Sequence, residues 1–254
     1  MNDLERYLFD LQGFIVIENA LTNKQINNLN TELDKQIDKQ IPGKEKQEKK
    51  FLRFDSLLNW GKPFQELIDN PAITPYLLEL LGKDFRLDHD YLHVIYQGKG
   101  PVGSFLHGGG TPYDPSQYYN FKDGRMFNGL TAVAYELNDI YPGQGGFACV
   151  PGSHKSNLPF PEEWKDLESP SNCVKAVNVK AGSAIIFTEA LTHGTLPCRS
   201  KGDGHSPLVS DRRTIFYKYS PQSLAWVRYY YNPDNFPDLT PSQRKILRVP
   251  GLYP

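Results

Sequence analysis

The sequence predicts a mainly β protein: a double-sheet jelly roll with helices ahead of it and a short helix behind. Three observations carry that expectation. Helix-spaced apolar residues dominate the stretch before Gly82, whereas from Phe85 onward apolar residues follow the two-residue period of strands. Beyond Phe85, short β-branched and aromatic runs are separated by Gly, Pro, Asn and Asp, the punctuation of antiparallel strands. A length of 254 residues suits one such unit with extensions rather than two cores. The expected organisation is a single domain: 1–84 as an N-terminal strand and helices packed on the sheets, 85–231 as the β core, and 232–254 as a C-terminal extension.

Taken in order, Gly13 to Glu18 (GFIVIE) is a β-branched run after a turn residue and reads as a strand. Thr22 can cap the helix that follows, with Gln25 completing a capping box, and Ile26, Leu29, Leu33 and Ile37 form its apolar face until Pro42-Gly43 stops it. The mixed-sign run Lys44 to Lys50 reads as a solvated loop or helix end. A second helical region is expected over Pro63 to Leu81, with Phe64, Leu67, Ile68, Leu77, Leu78 and Leu81 facing a core and Gly82 as the stop. The expected strands are Phe85 to Tyr96, Phe105 to His107, Gly129 to Leu137, Gly146 to Val150, Val174 to Val179, Ser183 to Phe187, Thr214 to Tyr219 and Val227 to Tyr231. The connection Thr111 to Asn128, rich in Tyr, Gly, Pro and Asp, reads as a binding loop or lid. Thr240-Pro241-Ser242-Gln243 carries the cap, proline and returning Gln of a short final helix.

Aromatic residues make up 13% of the chain and the net charge is -1, the composition of a soluble globular protein with no basic excess to attract nucleic acid or a membrane surface. The three cysteines have no CxxC spacing, which argues against a disulfide framework. The N-terminus lacks a signal-peptide layout and no apolar run approaches a membrane span, so a cytoplasmic protein is expected. Oligomeric state is not legible.

The chemistry gathers on Gly182 to His193 (GSAIIFTEALTH), a buried apolar strand that ends on a polar edge carrying Glu189 and His193. His107 lies upstream in Phe105-Leu106-His107-Gly108-Gly109, and Arg212 and Arg213 lie downstream in a basic strand. Two His and one carboxylate on one face, with positions left open, are the usual way to hold Fe(II) for oxygen activation. The guanidinium fork of Arg212 suits a carboxylate, while adjacent Arg213 would point to the opposite face. On Arg86 to Gln97, the residues His89, Tyr91, His93 and Gln97 form a polar face in a predicted core strand, which argues for a ligand cavity; His89 and His93 as a second metal pair is the weaker reading.

Gly145-Gly146-Phe147-Ala148-Cys149-Val150-Pro151-Gly152-Ser153-His154-Lys155 resembles the GG-x-x-x-x-PGSHK segment of the phytanoyl-CoA dioxygenase superfamily. GFIVIENALT, His193-Gly194 and the arginine strand add to the resemblance, which covers nearly the whole chain. It implies a double-stranded β-helix, cupin-like in form, with Fe(II) on His107 and His193, 2-oxoglutarate on Arg212, O2 as oxidant and a small-molecule substrate. Tyr91, His93, Gln97 and Thr195 are the further candidates for contact with co-substrate or substrate, and His154 is a scaffold residue by the same resemblance. The departure is at the third ligand: where the family's H-x-D motif has Asp, this chain has Gly109. That vacancy resembles the H-x-G arrangement of iron and 2-oxoglutarate halogenases, in which chloride occupies the position. Alternatively Glu189 or Asp114 supplies the carboxylate, or the protein is a non-enzymatic binding module on the same scaffold. Glu189 also reads as an acid that orients a ligand His without touching metal. Hydroxylation is the default expectation and chlorination its rival.

Overall fold

The structure, a computed structural model, describes residues 1–41, 51–96, 104–199 and 211–251. Gln97, the Pro42-Gly43 stop, the Lys44 to Lys50 run and most of the Cys198 to Ser210 connection lie outside the described residues.

Asn2 opens the first helix, α1 (Asp3–Gln12), by accepting from the Glu5 amide while Glu5 returns to the Asn2 amide; Gly13, at φ +82°, closes it. This helix is not among the expected elements, although its Asn-x-x-Glu box and glycine stop are both written in the sequence. Strand β1 (Phe14–Ile17) follows, then α2 (Asn23–Gln40), whose Thr22–Gln25 capping box and buried Ile26, Leu29, Leu33 and Ile37 are as expected. The expected second helix is broken into α3 (Lys62–Gln65) and α4 (Thr74–Leu81). Pro71 lacks an amide and disfavours a helical Asn70, whose side chain instead caps Ala72 and donates to the Ala20 carbonyl. Leu78, expected in the core, is 44% exposed. Between α2 and α3 an unexpected strand, β2 (Phe51–Asp55), buries Leu52 and Phe54 alternately.

The β core comprises β3 (Phe85–Tyr96), β4 (Tyr119–Lys122), β5 (Arg125–Asn128), β6 (Thr131–Glu136), β7 (Gly146–Cys149), β8 (Lys175–Ala176), β9 (Ala184–Thr188), β10 (His193–Leu196) and β11 (Asp211–Pro221). A major sheet runs β1-β9-β6-β11-β3-β2 and a minor one β10-β7-β8, with every pairing antiparallel. The expected 105–107 strand reduces to single bridges from Phe105 to Asp166 and from His107 to His193. The 174–179 strand narrows to β8, and 227–231 is not a strand. That tail is fastened by side chains: Asp88 accepts from the Trp226 and Val227 amides, and the Tyr231 hydroxyl donates to Asp90. The 111–128 loop contains the β4–β5 hairpin, turned at Asp123-Gly124 with φ of +52° and +75°. An Asp-Gly pair of that kind is itself a hairpin signal. A short helix, α5 (Pro241–Ile246), closes the described core behind its Thr240 capping box, as expected.

Two apolar clusters sit on opposite faces of the major sheet. One joins its outer face to α1, α2, α3 and α4; the other lies between the sheets and includes Ala132, Ala134, Phe147, Ile185, Phe187 and Phe216. A register shift between Lys218 and Tyr219 skips Asp88 on β3, so Tyr219 pairs with Leu87 and Lys218 with His89. The extra residue re-phases the strand. Leu87 packs outward while His89, Tyr91 and His93 turn inward, and β11 sends Arg212, Thr214, Phe216 and Lys218 to the same inner face.

Candidate metal and co-substrate site

The site opens at the end of the gap between the two sheets. His193, the first residue of β10, and His107 exchange amide-to-carbonyl hydrogen bonds of 2.8 Å in both directions, and their rings lie 4.4 Å apart. Each ring is oriented by the chain: His193 Nδ1 is 2.7 Å from the Leu191 carbonyl and His107 Nδ1 is 3.3 Å from that of Phe105. A carbonyl only accepts, so each Nδ1 carries a proton, and it is Nε2 of each ring that is left to face a metal. Burial pushes His193 down to about 3, and neighbouring His107 adds to the effect, so its ring is neutral.

These two imidazoles share a cavity of about 430 Å³ with Tyr91, His93 and Thr195, and with Phe105, Phe147, Phe187, Phe216, Arg53 and Lys218. Of the expected site residues, His107, His193, Tyr91, His93 and Thr195 line this cavity, whereas Arg212 and Glu189 lie outside its lining and others are placed elsewhere by their own bonds. Asp114 accepts from the Ser116 amide and hydroxyl in a local turn. Arg213 faces out to Asp211, Asp34 and Asn30. His89 is bonded to Asp88 and stacked on Tyr91, so it forms no metal pair with His93. His154 holds the Asp10 carbonyl and packs on Tyr119, a scaffold role that ties α1 to the PGSHK turn.

Glu189 is buried, with Oε2 3.8 Å from His193 Nε2 and its other oxygen on the ammonium of Lys218. Burial alone would raise this carboxyl, but the Lys218 ammonium in contact with it outweighs that and holds it well below the usual carboxylate range. Lys218 is likewise buried, ringed by Tyr91, Phe187 and Phe216, and burial that would lower it is outweighed by Glu189. Alternation along β11 from Arg212 places Lys218 on the site's face, a signal the sequence reading did not use. Among the described residues no three His, Cys, Asp or Glu groups stand ready-gathered for a metal, and one Glu189 oxygen is turned onto Lys218.

Gly109 is committed to being glycine. Its φ is +105°, and a Cβ there would stand 2.9 Å from Thr192 Oγ1; at Gly108, with φ +73°, a Cβ would meet the Leu191 carbonyl at 2.7 Å. We expect Gly109→Asp to lose about 1–3 kcal/mol of stability from backbone strain and to gain no metal affinity. Thermal unfolding and metal titration of the variant check this.

Deeper between the sheets, Arg212 is 4% exposed. Its Nη1 reaches the Leu196 carbonyl at 3.4 Å, its Nε is buried without a partner, and both ring nitrogens of nearby His93 are also buried and unpartnered. Unpaired donors in a buried cleft are costly unless a ligand satisfies them.

The family model described as Phytanoyl-CoA dioxygenase (PhyH) matches residues 86–205. The chain carries a phytanoyl-CoA dioxygenase family domain. That domain spans β3 to β10 and both His ligand candidates. A curated relative, ectoine dioxygenase of Nocardia farcinica (strain IFM 10152), is 22% identical over 214 residues, covering 74% of this chain and 70% of that one. The fold matches HygX from Streptomyces hygroscopicus, solved with nickel and 2-oxoglutarate, at a TM-score of 0.77, 23% identity and 90% coverage of both chains. SnoK, a non-haem alpha-ketoglutarate-dependent carbocyclase from nogalamycin biosynthesis, matches at 0.62 and 16% identity, over 95% of this chain and 92% of that one. The phytanoyl-CoA dioxygenase domain thus has the jelly-roll architecture that its sequence predicts.

Proposed function

We propose that the protein is an Fe(II)- and 2-oxoglutarate-dependent oxygenase that hydroxylates an unactivated C–H bond of a small molecule. The observation that carries this reading is the pair of imidazoles of His107 and His193, 4.4 Å apart with each Nδ1 turned to a backbone carbonyl, beside the buried carboxylate of Glu189. In this assignment His107, His193 and Glu189 hold the iron, with Glu189 taking the part that H-x-D gives to Asp. The donor set fits: two imidazole nitrogens and a carboxylate oxygen are what non-haem Fe(II) takes. When bound, the iron supplies the oxygen chemistry, coupling oxidation of the substrate to decarboxylation of 2-oxoglutarate to succinate.

The protein's part is binding and shielding. Arg212 anchors the far carboxylate of 2-oxoglutarate, and Thr195 and His93 flank it. Tyr91, Phe147, Phe187 and Phe216 exclude water and leave a cavity sized for a small molecule. HygX was solved with hygromycin B and SnoN with nogalamycin RO, which supports a small-molecule substrate here. Hydroxylation is favoured over chlorination because Glu189, a buried carboxylate 3.8 Å from His193 Nε2, can take the place that a halide would otherwise fill. Purified protein loaded with Fe(II) should convert 2-oxoglutarate to succinate in an oxygen-dependent manner. Arg212→Met should raise the 2-oxoglutarate concentration required by more than about tenfold, since each charge-assisted hydrogen bond is worth about 1.5–3 kcal/mol. Unchanged 2-oxoglutarate dependence would remove Arg212 from the assignment, and no consumption with any small molecule tried would favour the binding module.

A further inference from the structure

Glu136 is a buried acid that the proposed chemistry does not use. It is the last residue of β6, is 1% exposed, and pairs in register with Thr214, whose hydroxyl donates to its Oε2 at 2.6 Å. Arg212 is two residues along β11 on the same face, so the two side chains share one polar corner behind the cavity. Arg212 influences the titration of Glu136 and of His93, forms no ion pair within 4.0 Å with Glu136, and has its Nε unpartnered. The corner therefore holds one guanidinium and one carboxylate near enough to feel each other's charge, with the guanidinium Nε still open.

A dicarboxylate entering here would bring a second carboxylate to the same arginine. Two carboxylates in a dry corner cannot both stay ionised against a single cation. One of them takes a proton. We infer that Glu136 is a second determinant of co-substrate binding: it takes up one proton from solvent as 2-oxoglutarate seats on Arg212, and as a neutral carboxyl donates a hydrogen bond to the co-substrate's far carboxylate. This inference rests on the assignment of Arg212 as the 2-oxoglutarate anchor.

Glu136 is suited to the task. Burial raises its carboxyl above the usual range, against the opposing pull of Arg212 and the Thr214 hydroxyl, so the proton is added at lower cost than to an exposed acid. The other titratable groups around the corner are Cys198, on the segment after β10, and His93, across β11 on β3. Burial pushes the Cys198 thiol up and His93 down to about 3, so both are neutral at ordinary pH and neither competes for the proton. The sign follows. Binding needs the protonated acid, so affinity for 2-oxoglutarate falls as pH rises above the Glu136 pKa of the free protein, by up to about tenfold per pH unit.

Calorimetric titration of the anaerobic Fe(II)-loaded protein with 2-oxoglutarate, in two buffers of different ionisation enthalpy from neutral to alkaline pH, reads the proton directly. The expected result is uptake of about one proton at the alkaline end. Glu136→Gln keeps an acceptor for Thr214 and a donor for the ligand, so it should bind 2-oxoglutarate with a flat pH profile and no uptake. Equal proton uptake in wild type and Glu136→Gln would overturn the inference, as would wild-type binding that neither takes up a proton nor weakens with pH. Arg212→Met separates the two levels. If it leaves affinity unchanged, the anchor assignment fails and this inference with it; if it weakens binding while the wild type takes up no proton, only the role of Glu136 fails.

Discussion

Replacing Glu189 with Gln is expected to abolish tight metal binding and, in metal-free protein, to cost about 3–5 kcal/mol of stability. The stability loss comes from Lys218. Its ammonium is buried among Tyr91, Phe187 and Phe216, and Glu189 is the carboxylate on it, so the substitution leaves an uncompensated charge in an aromatic enclosure. Adding Lys218→Met to Glu189→Gln removes that charge and should recover most of the lost stability, because a buried ion pair replaced by apolar groups is often neutral or better. Metal binding should not recover with it. Denaturant unfolding and metal titration of the single and double variants separate the two roles: a double variant that binds metal like the wild type would make Glu189 only a partner for Lys218.

The pair also sets a pH window. Glu189 has its folded pKa depressed, so its contribution is complete above the unfolded carboxylate value of about 4.3 and is lost as pH falls through the folded one. Lys218 has its folded pKa raised, so its contribution is complete below about 10.4 and is lost as pH rises through the folded value. Metal-free stability should therefore be flat between those limits as far as this pair is concerned.

Removing either imidazole should lower metal affinity by more than the roughly 10–100-fold that loss of an outer partner costs, and 2-oxoglutarate turnover with it. The two variants should differ in stability. His193 is 5% exposed and its ring centroid lies 4.7 Å from that of Phe187, so His193→Ala opens a cavity as well as a coordination position. His107 is exposed, so His107→Ala should unfold close to the wild-type midpoint while still losing the metal. Comparing the two by thermal unfolding and by metal titration isolates the ligand effect from the packing effect. If His107→Ala retained wild-type metal affinity, His107 could not be a ligand.

Much of this site was legible because a strand's two-residue period fixes which side chains share a face. Tyr91 and His93 follow from that rule, and so would Lys218 and Glu136 had the charged positions inside β6 and β11 been weighed. The PGSHK segment and His193-Gly194 carried the family. What the period could not supply was the bulge at Asp88, which lets Leu87 and His89 face opposite ways despite being two apart. Nor could it show that Glu189 turns to Lys218, a contact made across 29 residues of sequence. The broken helix after Gln65 was readable from Pro71 and Pro75, but the apolar spacing around them was persuasive enough to hide the breaks. The tail from Trp226 has strand-like composition yet is held by Asp88 and Asp90, and no local signal distinguishes such fastening from sheet pairing.

In the proposed assignment Glu189, and not a halide beside Gly109, completes the metal site. An anaerobic titration of the metal-free protein with Fe(II) and 2-oxoglutarate, with and without chloride, tests it through the visible charge-transfer band of iron-chelated 2-oxoglutarate. The account predicts a band that chloride does not shift and that Glu189→Gln/Lys218→Met fails to form. A band that moves with chloride in the wild type and persists in the double variant would contradict it.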